Sequence, residues 1–354
     1  MKLKECLKEN KKEIDREMER VFPKKMNREW IERAIGKTDF SFDEVSLNKA
    51  LNEPIWEFLD RGGKRWRPLL MITSFRAFGG KEEELINKAS VIPEFLHNGS
   101  IMVDDIEDDS DLRRGKKCTH KLYGVDIAVN AGNAMYFIPF ILLYRNELNL
   151  SDEVKAKAYD LCIEEMLKIH FGQGTDIYWH QGKKGEVKEE HYLQMSAFKT
   201  GTLARLSAKL GALLAGAGKK EIEKIGAYAE SIGIAFQIQD DILNLTGKEF
   251  AKGKGLGEDI HEGKRTLILI HALRKAKEKD RKRLLKIINS HPSDRKTIKE
   301  AIEIMKKTDS IEYAGEKARK LVEESWKELD ALIPSSEAKE KLREFGEYLI
   351  KRKV

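Results

Sequence analysis

Apolar residues recur along this chain at helical rather than strand spacing. Leu3, Leu7, Ile14, Met18 and Val21 follow one another at intervals of 4, 7, 4 and 3, which is one face of a helix. Too few heptads repeat for a coiled coil, so the segment predicts a docking helix. The same periodicity predicts helices over 82–109, 152–178, 190–215, 221–244, 265–288 and 297–350. Gly- and Lys-rich breaks fall at 60–64, 182–185 and 252–257, and none is long enough to be an interdomain linker. Strand-like alternation is scarce, prolines number only 7, and no internal repeat is visible. The expected fold is all-α, a single domain over 1–354 with 1–50 as an N-terminal helical extension.

Composition changes little in that picture. Hydrophobic residues make up 41% of the 354, enough for a sizeable core and against intrinsic disorder. Charged residues reach 36%, yet 66 Lys+Arg against 60 Asp+Glu leave a net charge of only +6. Mixed charge of this kind predicts helices with salt-bridged outer faces. No arginine-rich block demands a nucleic-acid partner, and none is expected. Cys6, Cys118 and Cys162 are too scattered for a disulfide framework, so a reducing, cytoplasmic setting is expected. The start, MKLKECLKENKKEID, has no apolar signal core. Residues 127–144 carry no formal charge, at the lower edge of a membrane span. They include Asn130, Gly132, Asn133 and Pro139 and lack a second span, so a buried helix is expected and no transmembrane segment.

The signs separate in three places. DDIEDDSD at 104–111 ends an apolar helix, with Asp104 and Asp108 one turn apart on one face. Like charges there oppose each other and the helix dipole, so a cation should compensate, and hard oxygen ligands suit Mg²⁺. Taken alone, the cluster reads equally as a solvated helix end paired with Arg113 and Arg114. Asp240 and Asp241 end a second apolar run, SIGIAFQIQ, where paired carboxylates are costly without a cation. RGGKRWRP at 61–68 frees the backbone at two glycines and follows with Lys64, Arg65 and Arg67, forked and point donors for phosphate. Pro68 is placed to open the next helix. It is not a GxxxxGK[ST] loop. Arg113, Arg114, Lys116 and Lys117 form a second basic group, and Lys254 and Lys264 about Asp259 a third. His97 lies two turns before Asp104 on the same face, with small Gly99 and Ser100 between them.

These residues resemble the trans-isoprenyl diphosphate synthases over about 55–345. The motifs are GGKRWRP, LHNGSIMVDDIEDDSDLRRG, GQGTDIYW, KTG, FQIQDDILNL and KGKGLGEDIHEGK. Asn244 in DDILN, with DDIED and GQGTDIYW, looks like the type III geranylgeranyl diphosphate synthases. The resemblance implies antiparallel helices around a deep central cavity, in a homodimer or larger homo-oligomer. It implies head-to-tail condensation of isopentenyl diphosphate with an allylic diphosphate (dimethylallyl, geranyl or farnesyl). Three Mg²⁺ are implied, held by Asp104, Asp108 and Asp240, with Asp105, Asp241, Gln173 and Asp176 in support. Arg113, Lys199, Lys254 and Lys264 would contact the allylic diphosphate. Gly63, Lys64, Arg67, His97 and Arg114 would take isopentenyl diphosphate without metal. Thr200 and Gln237 would face the allylic cation.

Product length follows from cavity depth. The resemblance puts Gly99 and Ser100 where farnesyl-making relatives carry aromatics, and Tyr136, Phe137 and His170 at the floor. The twenty-carbon product, geranylgeranyl diphosphate, is expected; a farnesyl or mixed enzyme is the runner-up. Asn133 and Ile268 depart from the Asp and Pro common in relatives, and neither is a proposed ligand. A terpene cyclase would not need Lys64, Arg67 and His97. A regulatory prenyl synthase subunit would have lost Asp or Lys ligands, and none is lost. Residues 1–50 have no role in this reading.

Overall fold

The computed structural model describes residues 3–182, 186–247 and 257–350. Backbone contacts divide it into two compact helical units, one of 1–161 with 209–217 and one of 162–208 with 218–354.

In the first unit, α1 (Leu3–Val21) buries the expected stripe together with Cys6 and packs on α5 (Trp66–Ala77), α6 (Glu83–Ala89) and α7 (Val91–Glu107). Helices α2 (Arg28–Ile35), α3 (Glu44–Leu47) and α4 (Glu53–Leu59) lie between α1 and α5 in sequence. The Asn27 side chain caps α2 by accepting from Trp30 N. Phe22, after α1, packs edge-on against Trp30 and Phe95 and stacks on Trp56, which pins the end of α1 to the core. The single helix expected over 82–109 is two, parted at Ser90. Pro93 explains the break: its ring clashes with an earlier carbonyl, so the helix restarts with Pro93 in its first turn. Pro68 behaves likewise, standing third in α5, two residues later than expected.

A hairpin missed by the periodicity follows α7. Strands β1 (Leu112–Arg113) and β2 (Lys116–Lys117) pair antiparallel, with Leu112 opposite Lys117. Arg114 (φ +53°) and Gly115 (φ +78°) form the two-residue turn in the left-handed conformation that suits a tight hairpin. After α8 (Thr119–Tyr123), the uncharged stretch 127–144 falls in α9 (Val125–Phe137), a 3₁₀ turn at Ile138–Phe140 containing Pro139, and α10 (Ile141–Tyr144). By length and composition, Val125–Tyr144 would span a membrane, but 56% of its most apolar window is buried inside the protein. Helices α7 and α9 meet at two glycines: a Cβ on Gly99 would lie 2.8 Å from Gly132 O.

The second unit begins inside α11 (Asp152–His180) and continues through α12 (Glu189–Ser196), a π-turn at Ala197–Gly201 and the first part of α13 (Thr202–Leu214), whose residues from Lys209 on belong to the first unit. Helix α14 (Lys219–Thr246) is followed by α15 (Glu258–His261), α16 (Leu267–Lys275), α17 (Glu278–Asn289), α18 (Arg295–Lys306), α19 (Ser310–Asp330) and α20 (Glu337–Ile350). The expected 265–288 helix is two, because Ala276 and Lys277 are extended (ψ 148° and 152°). The expected 297–350 helix is three, broken at left-handed Asp309 and again around Pro334. Extended or left-handed residues cannot carry the i to i−4 ladder, and periodicity alone does not reveal them.

Candidate functional site

The acidic run sorts itself by partner. Asp104 and Asp108 stand one turn apart, Asp108 N donating to Asp104 O at 2.9 Å as the C-cap of α7. Asp105 is buried and accepts from Arg113 Nε at 2.8 Å, while Arg113 Nη2 lies 3.9 Å from Asp104. Asp109 and Asp111 point outward to Lys121, at 2.6 and 3.5 Å. Burial and the Asp105 carboxylate push the Cys118 thiol up to about 12, so it is an inert core group.

The basic run also divides. Arg65 and Arg67 are two residues apart, yet Arg65 turns inward to Glu94 and Asp15, at 2.7 and 2.8 Å. Arg67 lies against the Trp66 ring, 4.4 Å from its centroid. Lys64 and Gly63 are exposed. Gly63 is favoured by its backbone, φ +152°, and not by crowding: a Cβ there would make only ordinary contact, 3.4 Å from Arg65 Nη1 and 3.5 Å from Arg114 Nη2. Arg114 donates to Gly62 O and to Asn98 Oδ1, covers the Phe58 ring, and burial pushes it down to about 10. Burial, reinforced by Arg67 and Arg114, holds the His97 imidazole well below its usual range, so it is neutral at pH 7. Unit one therefore brings together Gly63, Arg67, His97 and Arg114.

Sequence reasoning missed what holds this group. Arg61 donates to Glu57, to Arg113 O at 3.2 Å and to Lys117 O at 2.8 Å, so it fastens the hairpin carrying Arg113 and Arg114. Arg61 opens the RGGKRWRP run, and its side chain is fully buried.

In unit two, Lys199 and Thr200 occupy the π-turn Ala197–Gly201. Lys199 Nζ donates to buried Asp176 at 2.6 Å. Thr200 Oγ1 donates to Gln237 Oε1 at 2.8 Å, and Gln237 Nε2 donates to Asp241 Oδ1 at 2.9 Å. The buried Tyr192 hydroxyl completes the chain by donating to Asp241 Oδ2 at 2.8 Å. This relay fixes the Gln237 amide with its oxygen toward Thr200 and spends the Thr200 proton on it. That leaves the Thr200 hydroxyl with lone pairs and no proton for a further partner. Burial and nearby Asp259 push the Asp241 carboxyl well above its usual range, against the two donors. Asp240 beside it is half-buried. Asn244, in place of a motif Asp, accepts from Asp259 N at 3.2 Å and holds the turn leading to Lys264. Lys264 lies 3.5 Å from Asp259 and pairs with Glu262. Gln173 is half-buried on α11, one turn before Asp176. Lys254 lies outside the described residues.

Tyr192 gave no motif signal; a fully buried hydroxyl beside a carboxylate is visible only in three dimensions. Tyr192→Phe leaves Asp241 one donor short in a buried setting, a loss of about 1–3 kcal/mol. We expect kcat to fall at least tenfold with substrate KM values little changed. A steady-state comparison with an unaltered KM for the allylic substrate and unaltered kcat would count against the relay.

The proposed length-setting residues scatter. Gly99 does not open a wall: a Cβ would also lie 3.0 Å from Met135 Cβ and 3.2 Å from the Tyr136 ring, so glycine is there for helix contact. Ser100 is half-buried and its hydroxyl donates to His97 O. Tyr136 is buried, and its phenol is pushed up by burial, Glu107 and Asp104. Phe137 is 70% exposed, so within this chain it forms no floor; it ends α9 on the outer face. His170 is likewise exposed on α11.

The carboxylates suit a hard divalent cation. Asp104 and Asp108 end a helix whose dipole opposes them, and Asp241 is buried beyond what its two donors repay. Among the described residues no three His, Cys, Asp or Glu side chains gather into a cage.

Comparison with known proteins converges on one family. The polyprenyl synthetase family matches residues 48–305. A short chain isoprenyl diphosphate synthase from Methanothermobacter thermautotrophicus is 36% identical, covering 82% of this chain and 87% of that one. A geranylgeranyl diphosphate synthase from Sulfolobus acidocaldarius is 33% identical over 86% and 91%. The crystal structure of geranylgeranyl pyrophosphate synthetase from Pyrococcus horikoshii superposes with a TM-score of 0.86 at 31% identity, over 99% of this chain and 98% of that one. The all-α architecture is therefore that of these enzymes, and the chain belongs to the polyprenyl synthetase family.

Proposed function

We propose that this prenyltransferase condenses isopentenyl diphosphate head-to-tail with allylic diphosphates and delivers geranylgeranyl diphosphate. The observation that carries the reading is the basic group of Gly63, Arg67, His97 and Arg114, with Lys64 next to Gly63 in sequence. A terpene cyclase has no use for a second diphosphate site, whereas a chain-elongating synthase requires one. A neutral His97 among arginines donates a hydrogen bond to diphosphate without adding charge. Lys199, Lys264 and Arg113, with Lys254, take the allylic diphosphate.

Asp104, Asp108 and Asp240 would hold Mg²⁺, three ions in all, and Asp105, Asp241, Gln173 and Asp176 would support them. Bound there, Mg²⁺ would supply the positive charge that neutralises the departing diphosphate. The allylic carbon–oxygen bond breaks with its electron pair leaving on diphosphate. Thr200 Oγ1 and Gln237 Oε1, fixed by the relay to Tyr192, present lone pairs to the allylic cation. The double bond of isopentenyl diphosphate attacks that carbon, and the proton lost next passes to the released diphosphate. No side chain is assigned as general base.

Val125, Val129 and Phe137 are exposed on α9, among exposed Asp126, Asn130 and Asn133; these three large apolar side chains in solvent support self-association as a homodimer or larger. Three free, buried cysteines support a cytoplasmic setting.

The test is incubation with labelled isopentenyl diphosphate, each allylic starter and Mg²⁺, with the products sized. A twenty-carbon product is expected, and no condensation at all would instead indicate a regulatory subunit. Ser100→Phe is expected to shift the product to fifteen carbons by filling the space before Asp104. Unchanged product length in that variant would show that Ser100 does not line the chain's path.

A further inference from the structure

Helix α1 has no part in the reaction as described, yet it reaches the diphosphate loop. The loop turns through three positive φ values: Gly62 at +84° and Gly63 at +152°, which glycine adopts freely, and Arg65 at +51°, left-handed and costly because it is not glycine. Such a loop persists only if its surroundings over-determine it. The Arg65 guanidinium supplies that constraint. Its Nη1 donates to Glu94 Oε1 at 2.7 Å, its Nη2 to Leu59 O at 3.1 Å, and its Nε to Asp15 Oδ1 on α1 at 2.8 Å. All three donor positions are used, so the fork has one orientation.

The connection continues. Glu94 Oε1 accepts from Asn98 Nδ2 at 3.0 Å, which turns Asn98 Oδ1 toward Arg114 Nη2, also at 3.0 Å. Arg114 closes the ring by donating to Gly62 O, back in the loop. Arg65 and Glu94 are each 3% exposed and Asn98 is fully buried, so little water competes for these bonds. Asp15 is the member from outside the substrate-binding segments, and it is half-buried.

We propose that Asp15 is a positioning residue for the metal-free diphosphate site: through Arg65 it sets the backbone of 62–64, and through Glu94 and Asn98 it sets the Arg114 guanidinium. The N-terminal helix is thus a working part of isopentenyl diphosphate recognition. This rests on the chain-elongating reading above.

The test is calorimetric binding of isopentenyl diphosphate to the full chain in EDTA, alongside steady-state kinetics. Asp15→Asn is expected to weaken isopentenyl diphosphate about tenfold, in Kd and in KM, with the farnesyl diphosphate KM and kcat within twofold. Asp15→Glu, which keeps the carboxylate, is expected to recover most of the affinity. Lys11→Ala removes the other partner of Asp15 and is expected to leave the affinity unchanged. If Asp15→Asn proves too unstable to assay, Arg65→Lys, which keeps the charge but not the fork, is expected to show the same selective loss. Equal weakening of both substrates, or wild-type affinity in Asp15→Asn, overturns the proposal. Wild-type protein that binds no isopentenyl diphosphate would instead overturn the functional reading beneath it.

Discussion

Replacing Asp104 or Asp240 with alanine is expected to lower turnover by roughly a thousandfold or more and to leave the fold intact. Both halves of that expectation follow from position. Asp104 lies in the last turn of α7 with its side chain 25% exposed. Negative charge there opposes the helix dipole, so its removal is expected to cost no stability and to add about 0.3–1 kcal/mol. Asp240 is half-buried while its neighbour Asp241 is buried and tied to Tyr192 and Gln237. Asp240→Ala therefore spares the relay, whereas Asp241→Ala would break it and is expected to lower the melting temperature as well. A residue kept for stability would show the opposite pattern, with melting and rate falling together. Circular dichroism melts beside product formation at saturating Mg²⁺ separate the cases. Near-normal rates in either Asp104→Ala or Asp240→Ala would falsify the assignment of these carboxylates to metal.

The contrast between neighbours marks where sequence reading stops. Spacing suffices to place Asp104 and Asp108 on one face, because one turn of helix is a property of the backbone. It also places the buried stripe of α1, because that helix has one apolar side. Spacing does not separate Arg65 from Arg67: both are buried, but left-handed Arg65 pairs with Glu94 while Arg67 lies over the Trp66 ring. Nor does it separate a small residue that opens a cavity from one that lets two helices touch: Gly99 does the latter, against Gly132. Asn244 was legible only as a departure from a motif. Its side chain proves to anchor the Asp259 backbone 15 residues on, a contact no local pattern encodes. The short hairpin at 112–117 escaped for a related reason: two-residue strands have no periodicity, and only the paired positive φ values at Arg114 and Gly115 form the turn.

Gly172→Ala is expected to cost about a hundredfold in kcat, although no atom of Gly172 touches substrate in the proposed reaction. A Cβ there would lie 2.3 Å from Lys199 N and 2.7 Å from Phe198 C, which are backbone atoms of the π-turn and cannot rotate away. The turn has no free side to move into. On α14, a Cβ at Gly233 would lie 2.5 Å from Gly201 Cα and 3.1 Å from Thr200 O. Two glycines on two helices thus bracket the Lys199–Thr200 backbone, and a methyl on either forces the turn to shift. Overpacking of this kind costs about 1–3 kcal/mol of stability. The catalytic loss is larger, because displacing Lys199 and Thr200 by about 1 Å misplaces the groups that face the leaving diphosphate and the cation. The same motif holds its own control. At Gly174, two residues along α11, an added methyl would meet nothing within 4 Å, and alanine favours a helix over glycine by about 1 kcal/mol. Gly174→Ala is therefore expected to melt slightly higher than wild type with unchanged kcat. If the two alanine variants lose activity alike, the loss comes from the helix and not from the bracketed turn. Divergent outcomes would tie the GQG motif to the placement of Lys199 and Thr200.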